Sequence, residues 1–185
     1  MADINVSPAQ RRPSGGLERA ASEAGPREPA YDLIELLFFA YRDFVGDPDH
    51  VLERFQFGRA HHRVLYFVDR HPEIRVADLL DILKITKQSL ARVLRELVEQ
   101  GFILQREGQV DRRQRLLTVT EKGKALALEL SRLQADRFAR ALQVSGASRD
   151  MVTRFLFAMI NPDEREGVTR LITQADLLGQ KGKER

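Results

Sequence analysis

The sequence predicts a mainly α-helical fold with one small β-hairpin, and three observations support this. Amphipathic stretches rich in Leu, Ala, Arg and Glu dominate the chain, with apolar residues recurring at helical spacing. The two clearest strand-forming runs, 102–106 and 116–119, are separated by a segment containing Gly108 and Asp111, which is typical of a hairpin with a long charged tip. A hydrophobic content of 43% in 185 residues is sufficient for a packed core.

Capping residues mark where the predicted helices begin and end. Thr86, Thr120 and Ser148 each stand just before an apolar-periodic run, where an N-cap is expected. Pro72 stops the second helix, and Gly101 occupies a position that favours a left-handed C-cap. We therefore predict helices over 31–45, 55–70, 77–83, 87–100, 121–143 and 151–160, a short strand at 74–76, and a last helix that the capping box Asn161-Pro162-Asp163-Glu164 opens and that runs through Leu171 and Ile172.

The two ends of the chain are predicted to be tails. Residues 1–29 hold four prolines and three glycines and almost no large apolar side chains, so they cannot bury enough surface to offset the entropy of ordering. Acidic and basic residues balance in this segment, which argues against a basic DNA-binding arm. We also expect the residues after Leu178 to fray.

Composition excludes several classes of function. The chain contains no cysteine, which removes disulfides, Cys-ligated metals, thiol nucleophiles and thiol redox sensing. No window approaches about 18 uninterrupted apolar residues, and the N-terminus lacks the apolar core of a secretory signal, so we expect a soluble, cytoplasmic protein. The formal net charge is only +3, but residues 84–122 hold nine Lys and Arg against five Asp and Glu. The basic charge is therefore local, as a nucleic-acid-binding face requires.

The middle of the chain predicts a helix-turn-helix followed by a wing. Leu79 and Leu83 on the first helix and Leu90 and Leu94 on the second are apolar positions that would share one core, together with Val76, Leu80, Ile85, Val93 and Leu97. A helix of this kind presents its N-terminal residues to base edges in the major groove. The outward-facing residues, which we predict to be the major-groove contacts, are Thr86, Lys87, Gln88, Ser89 and Arg92.

The hairpin tip carries three arginines, Arg112, Arg113 and Arg115, ahead of an alternating strand. A narrow minor groove has enhanced negative potential that favours an inserted arginine, so these residues are predicted to contact DNA. The string DRRQRLLTVTEKG, from Asp111 to Gly123, and the upstream string ADLLDILKITKQSLARVLRELVEQGFI together resemble the MarR family of winged helix-turn-helix transcriptional regulators. The resemblance covers roughly residues 31–175.

The resemblance implies roles for individual residues. Arg113 would enter the minor groove, and Asp111 would hold the wing in shape through arginine contacts. Arg95 and Glu96 reverse the family's commoner order of acidic then basic residue, so Arg95 is less secure as a DNA contact. The family forms homodimers through its terminal helices. This implies an N-terminal dimerisation helix in 30–54, the winged helix-turn-helix domain in 55–120 and C-terminal dimerisation helices in 121–178, between the predicted tails at 1–29 and 179–185.

Histidines and catalytic motifs complete the sequence-based expectations. His61 and His62 lie on the helix between the dimerisation and DNA-binding regions, near which the family holds its small-molecule pocket. Packing or hydrogen bonding is favoured for them over binding of a ligand or haem, and a pocket at these residues stays open.

No glycine-rich phosphate loop, nucleophile elbow or metal-ligand spacing occurs, so we expect no enzyme, no cofactor and no metal. We therefore predict a regulator that binds double-stranded DNA as a homodimer, with a small-molecule effector left open. The alternative is a winged-helix module that binds RNA or protein without operator specificity.

Overall fold

The computed structural model describes residues 28–109 and 111–181. Most of the predicted N-terminal tail, 1–27, and the last four residues of the predicted C-terminal tail lie outside the described residues. The chain divides between Phe38 and Phe39 into two compact units. Of the first unit, the structure describes 28–38, which is a short non-helical piece followed by the first two turns of the first helix.

The observed elements confirm the mainly helical prediction. Three antiparallel strands form a small sheet in the order β1-β3-β2, in which Ile74 pairs with Leu117 and Glu107 with Arg115. No helix in the described part of the chain is both long enough and apolar enough to cross a bilayer. In chain order the elements are α1 (Tyr31–Glu53), α2 (Arg59–Arg70), β1 (Ile74–Arg75), α3 (Val76–Leu83), α4 (Lys87–Glu99), β2 (Ile103–Glu107), β3 (Arg115–Val119), α5 (Glu121–Ser145), α6 (Arg149–Ala158) and α7 (Arg165–Lys181).

The three predicted N-caps are confirmed. The hydroxyl of Thr86 accepts the amide N–H of Ser89 at 3.1 Å, and that of Thr120 accepts the N–H of Gly123 at 3.0 Å. Ser148 caps α6 in the same way, over 3.1 Å, through the N–H of the residue three positions later. Gly101 has φ +74°, the left-handed conformation expected after α4.

The start of α2 was predicted wrongly. We expected this helix to begin near residue 55, but it begins at Arg59. The preceding residues form a turn in which Gln56 has φ +58°. Phe55 and Phe57 leave the helical path to pack their rings against Phe102, at centroid distances of 5.1 and 5.2 Å. Burying three aromatic rings together therefore outweighs the local helical pattern.

The ends of the neighbouring helices also differ from prediction. Helix α1 does not stop near residue 45 but continues through Pro48 to Glu53. The expected capping box at 161–164 is wrong, because these residues form a turn and α7 begins only at Arg165. The guanidinium of Arg165 donates to the carbonyls of Ala158 at 2.8 Å and Ile160 at 2.9 Å, so it satisfies the C-terminus of α6. Helix α7 then extends to Lys181, through part of the predicted frayed tail.

The main core lies where α2, the helix-turn-helix, the sheet and the first half of α5 meet. The predicted helix-turn-helix core is largely confirmed, since Val76, Leu80 and Ile85 are partly buried and the other predicted positions are buried. The fully enclosed side chains include Leu52 at the end of α1 and residues of α2, α3, α4, the sheet and α5; examples are Val64, Val68, Leu79, Leu97, Leu117 and Leu130.

A close backbone contact joins α4, the wing and α5. The carbonyl of Phe102 accepts the N–H of Thr120 at 3.0 Å. Gly123, in the first turn of α5, lies so near that a Cβ there would overlap this carbonyl oxygen. The chain therefore requires glycine at position 123 for steric reasons, although its helical conformation suits any residue.

We predict that Gly123→Ala lowers the free energy of unfolding by about 1–3 kcal/mol, because backbone atoms must move to admit the methyl group. Urea denaturation at a fixed protein concentration measures the change. Gly167→Ala in α7 is the matched control, since a Cβ there meets nothing within 4 Å. This control should be neutral or stabilising by about 0.5–1 kcal/mol. Equal effects of the two substitutions would contradict the steric argument.

Candidate nucleic-acid interface

The predicted major-groove residues lie on the exposed side of α4 and at its N-terminus. Thr86, Lys87, Gln88, Ser89 and Arg92 are all exposed, while the intervening Leu90 and Val93 are buried. Besides capping the helix, the Thr86 hydroxyl donates to the Ser89 hydroxyl at 2.9 Å. The exposed amides of the first turn and the helix dipole make this end of α4 attractive to anions.

Charged residues farther along α4 differ in their pairing. The Nε atom of Arg92 lies 3.6 Å from Oε1 of Glu96, one turn later. Neither Lys87 nor Arg95 has a carboxylate within ion-pair distance among the described residues. The N-terminal turn of α4 thus keeps an unneutralised cation.

Backbone hydrogen bonds shape the wing tip. The carboxylate of Asp111 accepts the backbone N–H of Arg113 at 2.9 Å, and its carbonyl accepts the N–H of Gln114 at 3.0 Å. The N–H of Gly108 donates to the Gln114 carbonyl at 2.9 Å, and a Cβ at this glycine would come within 2.7 Å of the Asp111 carbonyl oxygen. We expected Asp111 to hold the wing in shape through arginine contacts. The contact in the structure is with the backbone amide of Arg113.

This arrangement separates the three predicted wing arginines. Arg115 lies on β3, and its Nη1 is 2.7 Å from Oε1 of Glu107 on β2, directly across the ladder. Arg112 and Arg113 lie in the tip, are exposed, and have no carboxylate within ion-pair distance in the described ranges 28–109 and 111–181. The positive charge that the wing offers to a partner is therefore concentrated at two residues.

The second unit contains a cavity of about 1090 Å³. Its apolar walls include aromatic rings from α1, α2 and α5, and its cations are Arg59, Arg63 and Arg149. Neither Asp nor Glu occurs among its lining residues. Burial lowers the pKa of His62, which lines the cavity, so this imidazole is neutral near pH 7. The aromatic residues that line it are Tyr41, Phe44, Tyr66, Phe67 and Phe138.

His61 was grouped with His62 in the expected effector pocket, but it does not line this cavity. Its ring is buried and stacks on Phe57 with centroids 4.5 Å apart and planes inclined by 9°. One ring nitrogen lies 3.1 Å from the N–H of Gly58, and the other lies 2.6 Å from Oε2 of Glu96 on α4. The two neighbouring histidines thus occupy different surroundings.

Sequence reasoning also missed a contact of Arg63. Its guanidinium lines the cavity and donates to the carbonyl of Leu83 at 3.0 Å, at the last residue of α3. The next residue, Lys84, has φ +52° and begins the turn into α4. Arg63 and Leu83 are 20 positions apart. The helical periodicity of α2 indicates which side of the helix Arg63 faces, but it does not identify the residue that Arg63 binds.

Exposed apolar side chains mark the terminal helices. In the first unit, Tyr31, Leu33 and Phe38 are 67%, 59% and 68% exposed. In the second unit, none of the residues of α6 is buried, although several of its positions carry large apolar side chains. The exposed large apolar residues at and just after α6 are Met151, Phe155, Leu156, Phe157 and Met159.

Comparisons with known proteins agree on one family. Residues 55–114 match the sequence model of the MarR family. The HTH-type transcriptional regulator PetP of Rhodobacter capsulatus is 44% identical over 133 residues, which are 71% of this chain and 80% of PetP.

Solved structures show the same fold. The transcriptional regulator SlyA aligns with a TM-score of 0.58 at 22% identity, over 75% of this chain and 95% of that one. FabT of Streptococcus pneumoniae, solved in complex with DNA, aligns with a TM-score of 0.59 at 17% identity, over 81% and 99% of the two chains. These likenesses confirm the winged helix-turn-helix, and the identity with PetP extends over most of both proteins. The chain therefore belongs to the MarR family and is a transcriptional regulator.

Proposed function

We propose that this regulator binds double-stranded DNA as a homodimer, with α4 in the major groove and the wing tip in the minor groove. A small molecule in the cavity would regulate this binding. The observation that carries the proposal is the position of the unpaired cations. Lys87 at the start of α4 and Arg112 and Arg113 at the wing tip are exposed, and no described carboxylate pairs with them.

Helix α4 has the side chains for reading base edges. Gln88 suits adenine, Arg92 suits guanine, and Lys87 suits guanine or a phosphate. Thr86 and Ser89 at the helix start lie where hydroxyls and backbone amides commonly contact phosphate. We therefore assign specificity to Gln88 and Arg92 and orientation to the other three.

The wing tip suits a contact through charge and groove width. Arg112 and Arg113 project from a turn that Asp111 and Gly108 hold in shape, so their backbone is fixed while their side chains stay exposed. The strong negative potential of a narrow minor groove favours the insertion of an arginine side chain. Arg115, which pairs with Glu107, would contribute less.

We predict that Arg113→Ala weakens binding to all duplexes and flattens the slope of log K against log salt by roughly 0.9 for each phosphate that the protein no longer neutralises. The measurement is a salt titration on a duplex that the wild-type protein selects from a random library, and on its scrambled version. Arg170→Ala, which removes an exposed arginine of α7, is the control and should leave both slopes unchanged. Unchanged affinities for Arg113→Ala would remove the wing from the interface, and displacement by excess RNA would favour an RNA-binding module.

The exposed apolar faces support a homodimer. Monomeric proteins rarely expose this many large apolar side chains on adjacent turns, and α6 buries none of its own residues. A twofold axis would cover each face with the same face of a second copy. It would also place two copies of α4 roughly 34–36 Å apart, one turn of DNA, and so require a pseudo-palindromic operator.

We predict a light-scattering mass of about twice 21.2 kDa at micromolar concentration. Phe155→Glu should weaken the dimer by about a hundredfold or more, because it introduces an unpaired charge into the buried interface. Leu104→Glu, at an exposed leucine of β2 in the wing, is the control and should leave the mass unchanged. A monomeric wild-type protein would contradict the dimer and the palindromic operator together.

The cavity provides a site for an effector. Arg59 is paired with Asp49 at 2.9 Å, but Arg63 and Arg149 have no described carboxylate partner. Two such arginines among aromatic rings, with no carboxylate among the lining residues, favour a ligand that is apolar and negatively charged. Arg63 connects this cavity to the helix-turn-helix, because its guanidinium also donates to Leu83 at the end of α3. A bound anion would compete for that guanidinium and favour a dimer whose recognition helices are mis-spaced for DNA.

Aromatic carboxylates and their matching amides test the charge preference. We predict that acids such as benzoate and 1-naphthoate raise the unfolding temperature, by roughly 5–10 °C at a hundred times their Kd, and weaken DNA binding. Benzamide and 1-naphthamide have the same rings without the charge and should have little effect. Equal responses to acid and amide would contradict the role of the arginines.

A further inference from the structure

We infer that His61 is a positioning residue for α4, which acts through Glu96 to hold Arg92 in the orientation that reads its base. This inference rests on the proposed DNA-binding function. It concerns a buried side chain that is placed outside the cavity and does not reach the exposed surface of α4.

The hydrogen bonds of His61 determine its tautomer. The N–H of Gly58 has only a proton to offer, so Nδ1 of His61, 3.1 Å away, must accept with its lone pair. The proton of a neutral imidazole then lies on Nε2, which donates to Oε2 of Glu96 at 2.6 Å. The surroundings therefore make Nε2 the donor toward Glu96.

The ring plane is fixed as well. Phe57 stacks on His61 at 4.5 Å and with an inclination of 9°, and Phe57 in turn contacts the ring of Phe102. The side chain of His61 is only 7% exposed. A buried donor that is held by packing on one side and by a backbone amide on another gives Glu96 a single preferred position.

Glu96 transmits this position to the DNA-facing surface. One of its oxygens accepts from His61, and the other lies 3.6 Å from Nε of Arg92. The side chain of Arg92 is 74% exposed, so the ion pair with Glu96 is its one described restraint beyond its own helix backbone. An arginine held in one direction loses less rotational freedom on binding a base, and this raises discrimination between bases more than attraction to phosphate.

The spacing of charges along α4 fits this role. At positions 95 and 96 the chain has Arg then Glu. The order in this chain puts the carboxylate four residues after Arg92, on the same side of α4, and within reach of His61. His61, Glu96 and Arg92 therefore form one chain of contacts, in which Glu96 binds both of the others.

A double-mutant cycle tests this role. The quantity to measure is the ratio of the affinity for the duplex selected by the wild-type protein to that for a scrambled duplex, by fluorescence anisotropy at one fixed salt concentration. Arg92→Ala should reduce this ratio roughly 5- to 150-fold. His61→Phe, which keeps a ring over Phe57 but cannot donate, and Glu96→Gln should each reduce it about three- to tenfold. The double variant His61→Phe/Arg92→Ala should match Arg92→Ala within about twofold.

The controls separate positioning from stability. His71→Phe alters another buried histidine, which stacks on Phe67 and whose side chain has no described hydrogen bond to α4. This variant should leave the ratio unchanged whatever its effect on unfolding. Because Glu96 is only half buried, Glu96→Gln should disturb folding little. This variant keeps an oxygen that accepts from His61 but removes the charge that pairs with Arg92. Long-range ¹⁵N spectra of the wild-type imidazole should show the proton on Nε2.

Two kinds of result would overturn the inference. If His61→Phe leaves the ratio unchanged, or if its effect adds fully to that of Arg92→Ala, His61 does not act through Arg92, and the proposed DNA binding still stands. If the wild-type protein does not distinguish the selected from the scrambled duplex, or if Arg92→Ala has no effect, the assigned base contact fails and the inference fails with it.

Discussion

Around the carbonyl oxygen of Phe102 the chain brings together the end of α4, the start of the wing and the start of α5. Gly101, with φ +74°, turns the chain from α4 into β2, and Thr120 then donates its N–H to Phe102 over 3.0 Å before it caps α5. This spacing exists only because Gly123 has no Cβ to strike the same oxygen. The ammonium group of Lys122 closes the junction, 2.8 Å from the carbonyl of Gln100 and 4.1 Å from the centroid of the Phe102 ring. The two elements proposed to read DNA are thereby fixed to each other and to the long helix that follows them.

Helix α2 links this arrangement to the cavity. Because successive residues of a helix point about 100° apart, three consecutive side chains cover much of its circumference. His61 accordingly bonds to Glu96 on α4, while His62 and Arg63 line the cavity. Arg63 in addition bonds to Leu83 at the end of α3. One turn of α2 therefore contacts both helices of the helix-turn-helix and the site proposed for an effector. A ligand in the cavity could thus affect the orientation of α4 directly through α2.

Local signals in the sequence were sufficient for much of this fold, and tertiary contacts account for the rest. The Thr86 cap and the alternation of buried Leu90 and Val93 with exposed Arg92 depend on residues three or four positions apart, which periodicity detects. The predicted start of α2 was wrong because Phe55 packs on the ring of Phe102, 47 positions later. The predicted helix start at 161–164 was wrong because the guanidinium of Arg165 binds the carbonyls at the end of α6. The bond between His61 and Glu96 spans 35 positions, so no pattern in the chain pairs them. The pairing of Arg115 with Glu107 is of a kind that a sequence can indicate, because two strands joined in a hairpin lie opposite each other in a defined register.

Ion pairing also decides where a nearly neutral protein presents positive charge. The chain has 30 Lys and Arg against 27 Asp and Glu, so its total charge gives little attraction to DNA. Exposed ion pairs such as Arg75–Asp78 and Arg115–Glu107 contribute little to stability. Their larger effect is to neutralise arginines that would otherwise attract phosphate at many points of the surface. Among the described residues from 84 to 122, the cations left without a carboxylate include Lys87 at the start of α4 and Arg112 and Arg113 at the wing tip. These three cations lie on the two elements whose separation the contacts around Phe102 fix, which favours one orientation on the duplex over non-specific association.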